Sequence, residues 1–124
     1  MSRLVDLASI PPLEMRPGLV HARRIEGERI TMAVFELQRG AVVPEHEHPA
    51  EQMGLCIQGQ LTFSVGEETR TLGPGGTWNI PSGVPHRAEA GPQGAIAVEV
   101  FSPIRDDWEA PLLPLRAPLW PGEG

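Results

Sequence analysis

The sequence predicts an all-β domain, folded as a sandwich or a closed barrel. Short segments of alternating apolar residues recur at near-even spacing, with turn residues between them. Glycine and proline number 14 each and are spread along the 124 residues, which suits strands and turns better than long helices. Helical periodicity, a repeat of about 20–50 residues and low-complexity tracts are all absent from the sequence. Closing the sheet removes exposed edges, which a small all-β domain needs.

The expected organisation is one domain over residues 1–124, with a core barrel at about 19–102, an N-terminal arm 1–18 and a proline-rich tail 103–124. Pro11-Pro12 and Pro17-Gly18 make the arm extended, with a turn at its end. Leu19–Ile25 reads as a strand that Gly27 breaks; His21, among Arg23 and Arg24, reads as an exposed strand histidine. Ile30–Leu37 follows, with Thr31, Ala33, Phe35 and Leu37 on one face and Met32, Val34 and Glu36 on the other. Ala41–Pro44 leads into a histidine strand, and Gln52–Gln58 forms the next. Leu61–Val65 turns through Gly66-Glu67-Glu68 into Thr69–Leu72. After Gly73–Gly76 come Thr77–Ile80, then His86–Ala90 ended by Gly91-Pro92, then Ala95–Phe101. The last has Ala95, Ala97, Glu99 and Phe101 on one face and Ile96, Val98 and Val100 on the other. The tail is expected to form one helical turn after Arg105 and to pack through its leucines and Trp120, since proline prevents regular structure further on.

Composition limits the chemistry. All ten basic residues are arginine, so Schiff-base and P-loop mechanisms, which need lysine, are excluded. The net charge of −6 argues against nucleic acid or an anionic membrane as partner. Nothing approaches a transmembrane length, and the start of the chain lacks the apolar run of a signal peptide. The single cysteine, Cys56, cannot form an intramolecular disulfide and reads as a small buried apolar residue. A cytoplasmic location is the expectation.

The stretch from Gly40 to Gly59 carries the candidate site. His46, His48 and Gln52 share a parity along extended chain and can converge on one point, with Glu47 and Glu51 turned away unless the Pro49-Ala50 step resets the phase. Imidazole nitrogens and a carboxamide oxygen are competent ligands for a divalent transition metal. A second stretch, Gly75 to His86, holds the third clustered histidine.

These two stretches resemble the paired motifs of the cupin superfamily. In the first, Gly40, His46, His48 and Gly59 hold the family positions, with Gln52 where glutamate is usual. In the second, Gly75, Pro81, Gly83 and His86 match throughout, and Ala90 stands at a later asparagine position. The resemblance implies a small jelly-roll barrel in which His46, His48, Gln52 and His86 bind one divalent metal ion, of which Zn, Ni, Mn and Fe are all candidates. Neutral Gln52 in place of a carboxylate leaves a more electrophilic centre of lower affinity.

A narrower resemblance takes in His46 to Gln52, the second motif and Val100 to Asp107. It is to the small pectin-degradation cupins, the KdgF-like family, which convert 4,5-unsaturated uronate monosaccharides to linear keto acids. Gln52 is usual in that group; Ala50 stands where histidine is usual, and Glu99 where aspartate is common. Carried over residue by residue, the resemblance places Glu99, Phe101 and Arg105 at the catalytic and substrate-binding positions. The residues fit such roles: Glu99 as general acid/base, Phe101 as an apolar platform for a sugar ring, and Arg105 as a two-pronged partner for a uronate carboxylate. The alternatives are a Glu99–Arg105 salt bridge at the barrel rim and core packing of Phe101.

The implied function is uronate ring opening on a small acidic sugar. The competing classes are an iron-dependent cupin dioxygenase and a cupin that binds metal or sugar without turnover. The apolar face of Met53, Leu55 and Ile57, with the proline-leucine tail, predicts a homodimer.

Overall fold

The computed structural model describes residues 3–122; Met1, Ser2, Glu123 and Gly124, the outermost positions of the expected arm and tail, lie outside the described residues. The described residues form eight strands: β1 (Leu13–Arg16), β2 (Val20–Glu26), β3 (Thr31–Leu37), β4 (Val42–His46), β5 (Glu51–Val65), β6 (Glu68–Leu72), β7 (Thr77–Ile80) and β8 (His86–Ser102). All pairings are antiparallel. The one helical segment among the described residues is a 3-10 turn, Leu7–Ser9. Among the described residues no helix is long and apolar enough to cross a membrane.

Two long strands, β5 and β8, run through both layers of the barrel. The C-terminal half of β8 and the N-terminal half of β5 belong to the layer β1-β2-β3-β8-β5-β7; their other halves join β4 and β6. The sequence reads each long strand as two, with Gly59 and Gly91-Pro92 as ends. Instead the chain stays paired across both points. Between Gly59↔Ala95 and Leu61↔Ala90 the register shifts, and residues 91–94 bulge out opposite Gln60. Gly59 (φ 78°) and Gly94 (φ 75°) occupy left-handed backbone there, and a Cβ on Gly59 would overlap the Gly94 carbonyl. The glycines thus bend the strands from one layer into the other.

Val20, Leu37, Cys56, Leu61, Phe63, Trp78 and Ile80 fill the interior together with five alanines, Ala41, Ala88, Ala90, Ala95 and Ala97. So many small side chains leave the barrel incompletely filled. A cavity of about 720 Å³ opens at the end that carries His46 and His86.

The outer side of β2 and β3 differs from the expected solvent face. His21 is 5 % exposed and buried, because the tail lies over it: Arg116 donates from Nη2 to His21 Nδ1 at 3.0 Å. Beside it, Arg23 and Glu36 form a buried ion pair at 3.1 Å. Arg23 also donates to the Ile10 and Arg116 carbonyls, and Glu36 accepts the Leu119 N–H at 2.8 Å. Leu13 bridges Leu112, so arm and tail are tied together. The helical turn expected after Arg105 does not form. Prolines at 111, 114 and 118 remove backbone donors, and the N–H of Leu113 goes to the Pro12 carbonyl instead.

Candidate metal centre and substrate cavity

Register brings the histidines together. β4 and β8 pair His46 directly with His86, and the loop after β4 carries His48 alongside. Gly83 supports that loop. In left-handed conformation (φ 77°), it donates its N–H to the His48 carbonyl at 3.0 Å. The second motif thereby holds the first in place. One ring nitrogen from each of His46, His48 and His86 lies within 4.8 Å of the others.

Each imidazole has its Nδ1 tied to a backbone carbonyl: His46 to Pro44 at 2.9 Å, His48 to Ala50 at 2.8 Å and His86 to Val84 at 2.9 Å. A carbonyl can only accept, so each Nδ1 carries a proton, and a ring that holds no second proton presents a bare Nε2. Burial keeps the two inner rings neutral. It lowers His48, helped by the charge of Arg105, and it is the main cause that lowers His86 to about 4. The buried His86 Nε2 has no hydrogen-bond partner among the described residues. Backbone-oriented imidazoles with free Nε2 lone pairs suit a divalent transition metal.

Gln52 opens β5 next to this cluster. Its Oε1 lies 3.0 Å from His48 Nε2, and its Nε2 donates a hydrogen bond to Glu99 Oε1. The same carboxylate oxygen accepts the Trp78 indole N–H at 2.8 Å. Burial raises the Glu99 pKa, while the bonds from Trp78 and Gln52 and the charge of Arg105 oppose that rise. Sequence reasoning gave Trp78 no role. The available signal was Gly54, a glycine inside a strand: it pairs with Trp78, and a Cβ there would overlap the indole.

Arg105 lines the cavity, and the alternative reading of a rim salt bridge to Glu99 does not hold. No Glu99–Arg105 ion pair forms among the described residues. Arg105 instead donates from Nε to Asp107 Oδ1 at 2.9 Å and from Nη2 to Asp107 Oδ2 at 3.1 Å. Its guanidinium lies 5.0 Å from the Phe101 ring centre and 5.3 Å from that of Trp108. Phe101 is 2 % exposed, packed edge-on against Phe35, Trp108 and His48. It lines the cavity as part of an aromatic wall completed by Phe35 and Trp108. Cys56 is buried, close to the Gln58 and Gly59 carbonyls. Glu47, in the loop after β4, and Glu51, at the start of β5, are both exposed.

Fold and site together define a jelly-roll barrel with a histidine cluster at the mouth of an internal cavity. The cupin-domain family model (Cupin_2) matches residues 33–101, more than half of the chain, and the chain belongs to that family. Among solved structures it is similar to an RmlC-like cupin from Shewanella frigidimarina, with TM-score 0.80 and 20 % identity over 86 % of this chain and 96 % of that one. It is also similar to KdgF from a Halomonas species, with TM-score 0.79 and 25 % identity over 86 % of this chain and 98 % of that one. Oxalate decarboxylase from Bacillus subtilis matches with TM-score 0.73 and 19 % identity, over 87 % of this chain but 32 % of that longer one. Comparison with curated protein sequences finds no match.

Proposed function

We propose that this cupin binds one divalent metal through His46, His48, Gln52 and His86 and converts 4,5-unsaturated uronate monosaccharides to linear keto acids. One observation carries the reading: ring nitrogens of His46, His48 and His86 cluster beside the Gln52 oxygen, at a cavity that His46, Gln52 and His86 line together with a caged arginine. A metal-ligand cluster beside a fixed cation suits a hydroxylated substrate that also carries a carboxylate. Similarity to KdgF over nearly the full length of both chains supports the same substrate class.

A divalent ion held by these residues supplies Lewis-acid polarisation of a substrate oxygen. The chain's own residues do the rest. Arg105 holds the carboxylate and so fixes which ring carbon faces Glu99. The Phe35–Phe101–Trp108 wall keeps one side of the ring dry. Both hydrogen bonds to Glu99 fall on Oε1, so Oε2 is the oxygen that serves the substrate. Glu99 takes the proton of the anomeric hydroxyl as the bond from C1 to the ring oxygen breaks, so that C1 becomes an aldehyde and the ring oxygen leaves as an enolate. Glu99 returns the same proton to C4, and the enolate becomes the ketone of the linear keto acid. Atoms balance without an external oxidant or reductant.

The proposal includes a homodimer in the cytoplasm. Met53 (54 % exposed), Leu55 (44 %) and Met32 (40 %) share one apolar outer face of β3, β8 and β5, and light scattering at micromolar concentration should return twice the chain mass. The catalytic reading is tested by two variants of the metal-loaded protein. Arg105→Ala should lower kcat/KM for an unsaturated uronate about tenfold or more. Glu99→Gln should lower kcat by roughly two to four orders of magnitude with little change in KM. Full turnover by folded Glu99→Gln would remove the proton-transfer role.

A further inference from the structure

Asp107 grips Arg105 through both oxygens, the same arrangement by which an arginine takes a carboxylate ligand. The two partners are held very differently. The Arg105 side chain is 12 % exposed, caged between Phe101 and Trp108, and its backbone N–H is anchored on the buried Thr31 hydroxyl at 2.8 Å. The Asp107 side chain is 61 % exposed and sits on the irregular segment after β8. Both residues line the cavity.

We infer that Asp107 is an internal competitor that holds the Arg105 fork until a substrate carboxylate displaces it. This inference rests on the proposal that the cavity takes an acidic sugar. The cation stays fixed because aromatic rings and the Thr31 bond hold it. The counterion moves because water can solvate it fully once it is released. A neutral ligand gives Arg105 nothing in return for losing Asp107, so the exchange favours acids over neutral sugars. The acid affinity of the cavity is thereby set below what a bare arginine would give.

Calorimetry on the metal-loaded full chain tests this, with glucuronate as the acidic probe and glucose as the neutral one. Asp107→Asn should bind glucuronate roughly threefold more tightly than the unaltered protein, the scale of a partly exposed ion pair, with glucose binding unchanged. In an Arg105→Ala background the same substitution should have no effect. Asp107→Ser serves if Asp107→Asn does not fold, and metal content is checked in every variant. Equal or weaker glucuronate binding by Asp107→Asn, an equal gain for glucose, or no measurable glucuronate binding by either protein would overturn the inference. Turnover is a separate readout. A threefold gain in a protein that leaves unsaturated uronates untouched would sink the ring-opening proposal and keep this one.

Discussion

His48 Nε2 and Gln52 Oε1 lie 3.0 Å apart, and with the His48 ring neutral and protonated on Nδ1 neither has a proton to give the other. His48 uses its Nδ1 proton on the Ala50 carbonyl, and Gln52 turns its amide hydrogens to Glu99. Two buried acceptors in contact, beside an unpartnered His86 Nε2, repel one another unless a cation lies among them.

Metal content should follow from this. Protein prepared without chelator should contain about one divalent ion per chain by elemental analysis, given a site of this donor set. His46→Ala and His86→Ala should each lose most of it. Far less than one ion per chain, with His46→Ala making no difference, would contradict the reading.

Trp78 should act on the site without touching a substrate. Trp78→Phe keeps the stack on Phe63, 4.5 Å between ring centres, but removes the N–H that Glu99 accepts. A hydrogen bond to a buried carboxylate is worth about 1.5–3 kcal/mol, so stability should fall by that order. Gln52 should also be held less well, and metal affinity should drop. An unchanged urea midpoint together with unchanged metal affinity would refute this role.

Acid should destabilise the metal-free protein through His86. The unfolded chain binds that proton near the ordinary 6.5, the folded chain only at about 4. Between those values the unfolded state holds more protons, so stability falls as pH drops. Glu99, raised by burial, acts with the opposite sign, and the comparison with His86→Gln isolates the histidine. Between about pH 7 and about pH 4.5 the unaltered protein should lose on the order of 2–3 kcal/mol more than His86→Gln. Equal losses in urea titrations of the two proteins would show that His86 is not the titrating group.

The strapped tail makes a stability prediction. Glu36→Gln leaves Arg23 buried without its counterion and should cost about 3–5 kcal/mol. Arg116→Ala removes a half-exposed partner of the same glutamate and should cost about 1 kcal/mol or less. Similar small effects for both in thermal melts would mean that the Arg23–Glu36 pair does not anchor the tail.

The sequence showed some of these features and hid others, for physical reasons. The spacing of His46, His48 and Gln52 marked them as neighbours, but strand parity does not explain the cluster: His48 sits in the loop between β4 and β5, and pairing of His46 with His86 sets the geometry. The bends in β5 and β8 were not legible. Glycine at 59, 91 and 94 suits a turn or a bulge equally, and only the cross-strand register decides. His21 looked exposed beside Arg23 and Arg24 because its cover, Arg116, comes from 95 residues further along. Asp107 was visible two residues after Arg105, but its choice of that partner depends on the Phe101–Trp108 cage, which forms only in three dimensions.

The most direct test of the central claim is an anaerobic turnover assay of the metal-loaded protein on unsaturated mono-uronates, followed by loss of enol-ether absorbance. Uronate ring opening predicts full turnover without oxygen, and its loss in His46→Ala. No loss of absorbance from metal-loaded protein, or turnover only when oxygen is admitted, would contradict it.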